Sequence, residues 1–237
     1  MTLVDLAGPE FWVRWMAIMI LNLTLSGDNA LVIALASRNL PPRQAWQGRL
    51  WGTVGAVVLR VLFTGVVTLL LAVPFLQAVG GAVLLWIAVR LLIQAEAGEA
   101  TARRGATLAE AIWIIIVADI VMSLDNVLAV AAAAQGDLLL VVLGVGLSIP
   151  LVIWGAGLLA RLMAHLPWLV DLGSAILGWV AGEMMLKDRL VGGWLGGGSG
   201  SVLRLVVPGA LGVLVVVVGR VTAARRRARA LHPSSRP

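Results

Sequence analysis

Two short stretches decide how this chain is read. Ser26-Gly27-Asp28-Asn29-Ala30-Leu31 sits inside one long apolar run. Ser123-Leu124-Asp125-Asn126-Val127-Leu128 sits inside another, 97 residues later, and Asn22 stands at the same offset from Asp119. Matches of Ala, Leu or Val between two apolar strings carry little weight, but an Asp-Asn pair behind Ser-x does. A second set follows: Pro74, Leu76, Gly80, Ala82 and Trp86 recur as Pro167, Leu169, Gly173, Ala175 and Trp179, at an offset of 93. Duplication of one unit explains both sets.

The surrounding composition is that of a membrane protein. Of 237 residues, 60% are hydrophobic and 13% charged, where a soluble domain carries roughly 25% charged residues. The mean hydropathy is +1.00. A disordered chain is excluded. The absence of cysteine removes disulfides, thiolate metal sites, Fe–S clusters and cysteine nucleophiles. A bilayer core about 30 Å thick needs about 20 apolar residues per helix. Seven runs meet that requirement, at about Trp12–Ala36, Trp51–Val73, Leu76–Ile93, Ala111–Ala134, Leu138–Leu159, Leu169–Leu186 and Val202–Gly219. The expected fold is an all-α integral membrane protein, one transmembrane domain over 1–237. Repeat one covers about 11–95, repeat two about 110–187, an extra C-terminal helix about 202–220 and a basic tail 221–237. Three spans per unit is an odd number, so the second unit enters the membrane upside down. Seven transmembrane helices, as a 3+3 inverted repeat plus one, suit a transporter with its site at the midplane between the units.

Charge placement sets the expected orientation. Arg38, Arg43, Arg49, Arg103, Arg104, Arg161 and the arginines from 220 onward make twelve positive residues on one side. The other side carries Arg14, Lys187, Arg189 and Arg204. The positive-inside rule puts the N-terminus outside and the C-terminus in the cytoplasm. The net charge of +6 therefore reads as a topology anchor, and no nucleic-acid partner is expected. The N-terminal stretch lacks the basic region and cleavage site of a removed signal peptide.

Polar side chains inside a span cost about 2.5–3.5 kcal/mol each and need a partner or a wet cavity. Span one holds Asn22, Thr24, Ser26, Asp28 and Asn29; span four holds Asp119, Ser123, Asp125 and Asn126. On continuous helices Asn22, Ser26 and Asn29 share a stripe, as do Asp119, Ser123 and Asn126. Gly27 is a place where span one can loosen. The candidate metal-ligating set is Asp28, Asp119, Asp125, Asn29, Asn126, Asn22, Ser26 and Ser123, with Glu183 as an outlying member. Such oxygen donors suit hard cations, Mg²⁺, Ca²⁺ or Mn²⁺, better than zinc or Cu(I). Blander readings stand beside this one. The Asn and Ser residues can serve helix–helix hydrogen bonds, and the aspartates can pair with Arg60 and Arg90 inside the membrane. Arg60, the deeper arginine, calls for an acidic partner, whereas Arg90 can snorkel to the surface. Glu183 can be a gate, a ligand or the i+4 partner of Lys187. Asp137, Asp171, Glu96, Glu99 and Glu110 read as solvated. Gly144-Val145-Gly146 and Gly155-Ala156-Gly157 read as close-packing sites.

The segments 26–34 (Ser-Gly-Asp-Asn-Ala-Leu-Val-Ile-Ala) and 118–131 (Ala-Asp-Ile-Val-Met-Ser-Leu-Asp-Asn-Val-Leu-Ala-Val-Ala) resemble the paired signatures of the TerC family. Arg49-Leu50-Trp51-Gly52-Thr53, Leu85-Trp86-Ile87-Ala88 and Ala181-Gly182-Glu183-Met184 resemble its YjbE-type branch. The resemblance covers about residues 10–190, without span seven and the tail. It implies a bacterial inner-membrane protein related in fold to LysE-type exporters. It also implies an association with tellurium resistance, manganese export or metal supply to secreted proteins. The family's intramembrane acidic positions fall on Asp28, Asp119 and Asp125, with Asn29 and Asn126 beside them.

The leading expectation is an exporter of a divalent cation, Mn²⁺ first, held as cargo with no tightly bound cofactor. The alternatives are a LysE-type exporter of organic solutes, with Arg60 as its fixed positive charge, and a partner that hands metal to the secretion translocon. No P-loop, nucleotide fingerprint or catalytic triad is visible, and an enzyme is not expected. Membrane lipid and the metal ion are the other expected partners.

Overall fold

The computed structural model describes residues 12–13, 15–20, 26–71, 73–96, 107–134, 138–188, 190–191 and 200–231. Among the described residues the fold is carried by the helices α1 Gly27–Ser37, α2 Pro42–Leu71, α3 Leu76–Glu96, α4 Leu108–Ala134, α5 Leu138–His165, α6 Trp168–Lys187 and α7 Gly200–Leu231. No strand occurs among the described residues. Among the described residues, four stretches are long and apolar enough to cross a membrane: Leu76–Glu96, Leu139–His165, Trp168–Lys187 and Val202–Arg226. The helices α2 and α4 are 30 and 27 residues long.

Two expectations about element ends change. Span one is not one continuous helix through its polar motif. Residues 15–20 are helical, but Ser26 lies outside α1 with φ −95° and ψ 0°, and helix begins afresh at Gly27. The i, i+4, i+7 stripe expected for Asn22, Ser26 and Asn29 therefore fails at Ser26, and Asn22 lies outside the described residues. At the other end, the basic segment expected to leave the helix at residue 221 stays helical to Leu231. At 1.5 Å per residue the 32-residue α7 is about 48 Å long, well beyond a hydrocarbon core about 30 Å thick. Its arginines therefore ride on a helical extension past that core.

The bundle is apolar both inside and out. Its core gathers Val32, Leu84, Leu92, Ile115, Leu177 and Val215 from five helices, α1, α3, α4, α6 and α7. Large apolar side chains cover its outside, with Trp154 70% exposed. A soluble monomer rarely shows such a surface; a bilayer supplies the missing contacts. Within the bundle α2 lies along α4, α3 along α6, and α7 along both α6 and α3; α1 touches α4 and α5, and α2 touches α5.

Small residues set the closest crossings, though not at the expected places. A Cβ on Gly178 would stand 2.8 Å from the Leu211 carbonyl, one on Gly212 2.8 Å from the Ala175 carbonyl, and one on Gly182 2.7 Å from Pro208 Cα. Gly178 and Gly182 form a small-xxx-small ridge that lets α7 dock. Of the glycines expected to do this, Gly144 does, with Ile18 2.5 Å away, but Gly146 and Gly155 have nothing within 4 Å.

Ion pairs tie the helix ends, and two correct the expectation of solvated acids. Glu110 accepts from Arg90 at 2.5 Å and from Gln94 at 2.7 Å, and the Arg90 guanidinium lies 5.0 Å over Trp86. Asp171 pairs with Arg220 of α7. Asp188 is buried after α6 and accepts from the Ala78 amide of α3 at 3.2 Å and from the Leu190 amide at 3.0 Å.

Candidate functional site

The polar motif of α1 meets α2, α4 and α5 at one small internal cavity. Ser26 and Asn29 line it from α1, Thr53 and Arg60 from α2, Asp119 from α4 and Ser148 from α5, with Val32, Val57 and Val152 among its apolar walls. Thr53 and Arg60 reach it together because seven residues are two helical turns. The space is about 20 Å³, enough for a single water-sized occupant.

An ion pair dominates the cavity. The guanidinium of Arg60 is hydrogen-bonded to Asp119 Oδ1, and the two residues are 3% and 8% exposed. Ser123 Oγ, one turn along α4, donates to Asp119 Oδ2 at 3.1 Å. The acidic partner that Arg60 called for is thus Asp119. Ser148 Oγ donates to the Val145 carbonyl at 2.6 Å, three residues back in its own helix. Among the described residues, two buried oxygens of the cavity lining have no hydrogen-bond partner, Asn29 Oδ1 and Thr53 Oγ1. An unsatisfied buried polar atom costs about 1–3 kcal/mol, so both invite a polar occupant.

The other candidates lie around this centre. Asp28 is half-buried in the first turn of α1 and does not line the cavity. It is close enough to Glu183 of α6 for their charges to repel. Glu183 accepts from its own helix, from Trp179 Nε1 at 2.8 Å, and lines a separate cleft with Lys187 and Arg204. Asn126 is half-buried on α4 and has a polar contact of its own. Asp125 belongs to α4, but its side chain, like all of Asn22, lies outside the described residues. The structure therefore joins Ser26, Asn29, Asp119 and Ser123, and keeps Asp28 and Glu183 apart from them. Among the described residues no three His, Asp or Glu side chains converge on a metal-sized site. Thr53 and Ser148 were missed in the sequence. Their signal was available, since each is a hydroxyl inside an apolar span.

The sequence that builds this apolar exterior and polar cavity has relatives among known proteins. The model of the family described as "Integral membrane protein TerC family" matches residues 7–229, a stretch that takes in nearly all of α7 and so extends past the resemblance seen at 10–190. The chain is 40% identical over 180 residues to the uncharacterized membrane protein YjbE of Bacillus subtilis (strain 168), covering 76% of this chain and 82% of that one. It is 28% identical over 193 residues to the uncharacterized membrane protein YkoY of the same organism, covering 73% of this chain and 60% of the relative. Against the UPF0053 protein YegH of Escherichia coli (strain K12) it is 25% identical over 191 residues, which is 73% of this chain and 36% of the other. No solved structure matches the chain. Sequence motifs, helical architecture and the family match agree: this chain is a multi-pass integral membrane protein and belongs to the TerC family.

Proposed function

We propose that this protein moves a hard divalent cation, Mn²⁺ first, outward across the bacterial inner membrane by way of the Asp119 cavity. The observation that carries the reading is a pair of buried oxygens without a partner, Asn29 Oδ1 and Thr53 Oγ1, beside a buried carboxylate. Oxygen donors of this kind suit Mn²⁺, Mg²⁺ and Ca²⁺. Arg60 occupies the carboxylate when no metal is there. It acts as a tethered cation that keeps Asp119 compensated, because a buried charge stripped of its partner is strongly destabilising. The metal enters by displacing the guanidinium and leaves when the guanidinium returns. Asp28 and Asp125, on the matching motifs, belong to the ion's path to and from the cavity.

Seven spans in a 3+3 inverted repeat complete the proposal, with the N-terminus outside and the C-terminus in the cytoplasm. Helix contacts support it by falling into related sets. The packing of α2 on α4 is answered by α1 on α5, while α3 on α6, α1 on α4 and α2 on α5 each relate to themselves. The cavity walls support it too. Thr53 and Ser148, and Val57 and Val152, stand 95 residues apart and line the same space. Rocking one unit against the other would expose that space alternately to each side. The organic-solute reading needs Arg60 to be available to a carboxylate, and its pairing with Asp119 weakens that reading.

The test is Mn²⁺ flux in proteoliposomes holding the full chain. Asp119→Asn, Asp28→Asn and Asp125→Asn should each lower flux by about tenfold or more, since a hydrogen bond or ligand contact to a charged group is worth about 1.5–3 kcal/mol. Arg60→Gln should tighten metal binding and slow release. Full flux in all three aspartate variants ends the proposal. Binding without flux in the wild type favours handover of metal to a partner such as the translocon.

A further inference from the structure

We infer that Arg49 and Arg161, at the arginine-rich end of the bundle, bind the phosphate of an anionic phospholipid in the seam between α2 and α5. The inference does not rest on the transport reading. Arg49 reaches across from α2 and lies over the backbone of α5. Its Cζ, Nε and Nη2 atoms stand 3.7 Å from the place where a Cβ on Gly157 would sit. A glycine there leaves the notch that the guanidinium fills. Arg161 is one turn further along α5, on the same face as Gly157, and its charge repels that of Arg49.

What singles out this pair is that a half-buried guanidinium faces a second one, with no acid beside them among the described residues. Arg60 has Asp119, Arg90 has Glu110 and Arg220 has Asp171, while Arg38 is attracted to Glu96. Arg49 is half-buried, and its Nε atom has no acceptor. Two neighbouring guanidinium groups without an acid, one of them half-buried, suit an anion from outside the chain. Planar forks of N–H donors match phosphate oxygens.

The neighbourhood says where that phosphate comes from. Trp46, three residues before Arg49, is 53% exposed, and Trp154, two turns before Arg161, is 70% exposed. Leu158, between Gly157 and Arg161, is 50% exposed. Tryptophans beside a basic pair mark the headgroup level of a bilayer, and basic pockets between spans on the cytoplasmic side take anionic headgroups. The exposed leucine lies where an acyl chain would follow its phosphate.

Native mass spectrometry of the full chain in detergent tests this, with phosphatidylglycerol, phosphatidylcholine and inorganic phosphate as probes. The wild type should retain phosphatidylglycerol in preference to phosphatidylcholine, and its thermal midpoint should rise with phosphatidylglycerol alone. Arg49→Gln with Arg161→Gln should cut retention by about tenfold or more, at roughly 1 kcal/mol per basic residue near the surface. Arg225→Gln, on the helical extension, should not. In the wild type a photoactivatable phosphatidylglycerol should cross-link within 46–51 and 154–161, a readout that does not depend on the variants folding. Undiminished retention in the double variant, or cross-links confined elsewhere, overturns the inference. An equal midpoint rise with inorganic phosphate, and no more with the lipid, assigns the site to a free anion and overturns the lipid reading.

Discussion

Replacing Arg60 with methionine tests whether the cavity is organised around its ion pair. The substitution keeps most of the side chain's length and removes its charge. Asp119 is then left with Ser123 as its remaining described donor, in a site where the pair is 3% and 8% exposed. Water is poorly placed to replace the guanidinium, because the adjoining cavity admits about one molecule. Removing one partner of a buried pair costs about 3–5 kcal/mol, whereas replacing both by apolar groups of similar size is often neutral or stabilising. Arg60→Met should therefore lower stability by about 3–5 kcal/mol, and Asp119→Leu by a comparable amount. The double variant should recover to within about 1 kcal/mol of wild type, a large coupling energy for a residue pair. Equilibrium unfolding in detergent, followed for all four proteins, measures the cycle. Two mild single effects that simply add would refute the reasoning, since they would mean that both charges reach solvent. The same double variant should carry no Mn²⁺, because the proposed carboxylate has gone with its tether.

Two further outcomes follow from the packing. Gly178→Ala places a methyl group 2.8 Å from the Leu211 carbonyl and should cost about 1–3 kcal/mol by overpacking. Gly146→Ala, with nothing within 4 Å, should be neutral or slightly stabilising through better helix propensity; equal thermal midpoints for the two variants would contradict the docking of α7 on α6. Asp188→Ala leaves the Ala78 and Leu190 amides without their acceptor and should cost about 1–3 kcal/mol. Faster amide exchange at the start of α3 would locate that loss, and unchanged exchange would refute it.

Much of the fold could be read from the sequence because a bilayer imposes simple rules. Long apolar runs must become helices, and α3 and α6 start within a residue of their expected positions. The need of Arg60 for an acid was legible too, since an intramembrane guanidinium cannot stand alone. Which acid it takes was not. Asp28, Asp119 and Asp125 are chemically alike in the sequence, and only helix packing brings Asp119 to α2. The break before Gly27 escaped the period argument, because a helical stripe presumes the continuity that Ser26 lacks. Glu110 and Asp171 looked like solvated ends, and Asp188 drew no reading at all. Their partners are 20, 49 and 110 residues away, separations that no local pattern reports. The glycines show the same limit, because α7 picks out Gly178 and Gly182 and leaves Gly146 and Gly155 without a close neighbour.

The two sides of the cavity also differ in charge, and that difference bears on how it works. The offsets that pair Thr53 with Ser148 and Ser26 with Ser123 pair Arg60 with Gly155 and Asp119 with Asn22. Arg60 meets Asp119 across the cavity, while the residues at the matching sequence offsets are a glycine and an amide. Nothing lies within 4 Å of the place where a side chain on Gly155 would begin, so no second bulk replaces the second guanidinium. With an ion pair on each side, every carboxylate would keep its own tether and an entering cation would have to displace two. On the proposed transport reading, one pair leaves a single carboxylate to alternate between a guanidinium and a metal. On that reading the difference between the two motifs keeps one buried carboxylate compensated by one arginine, so that an entering cation has a single guanidinium to displace.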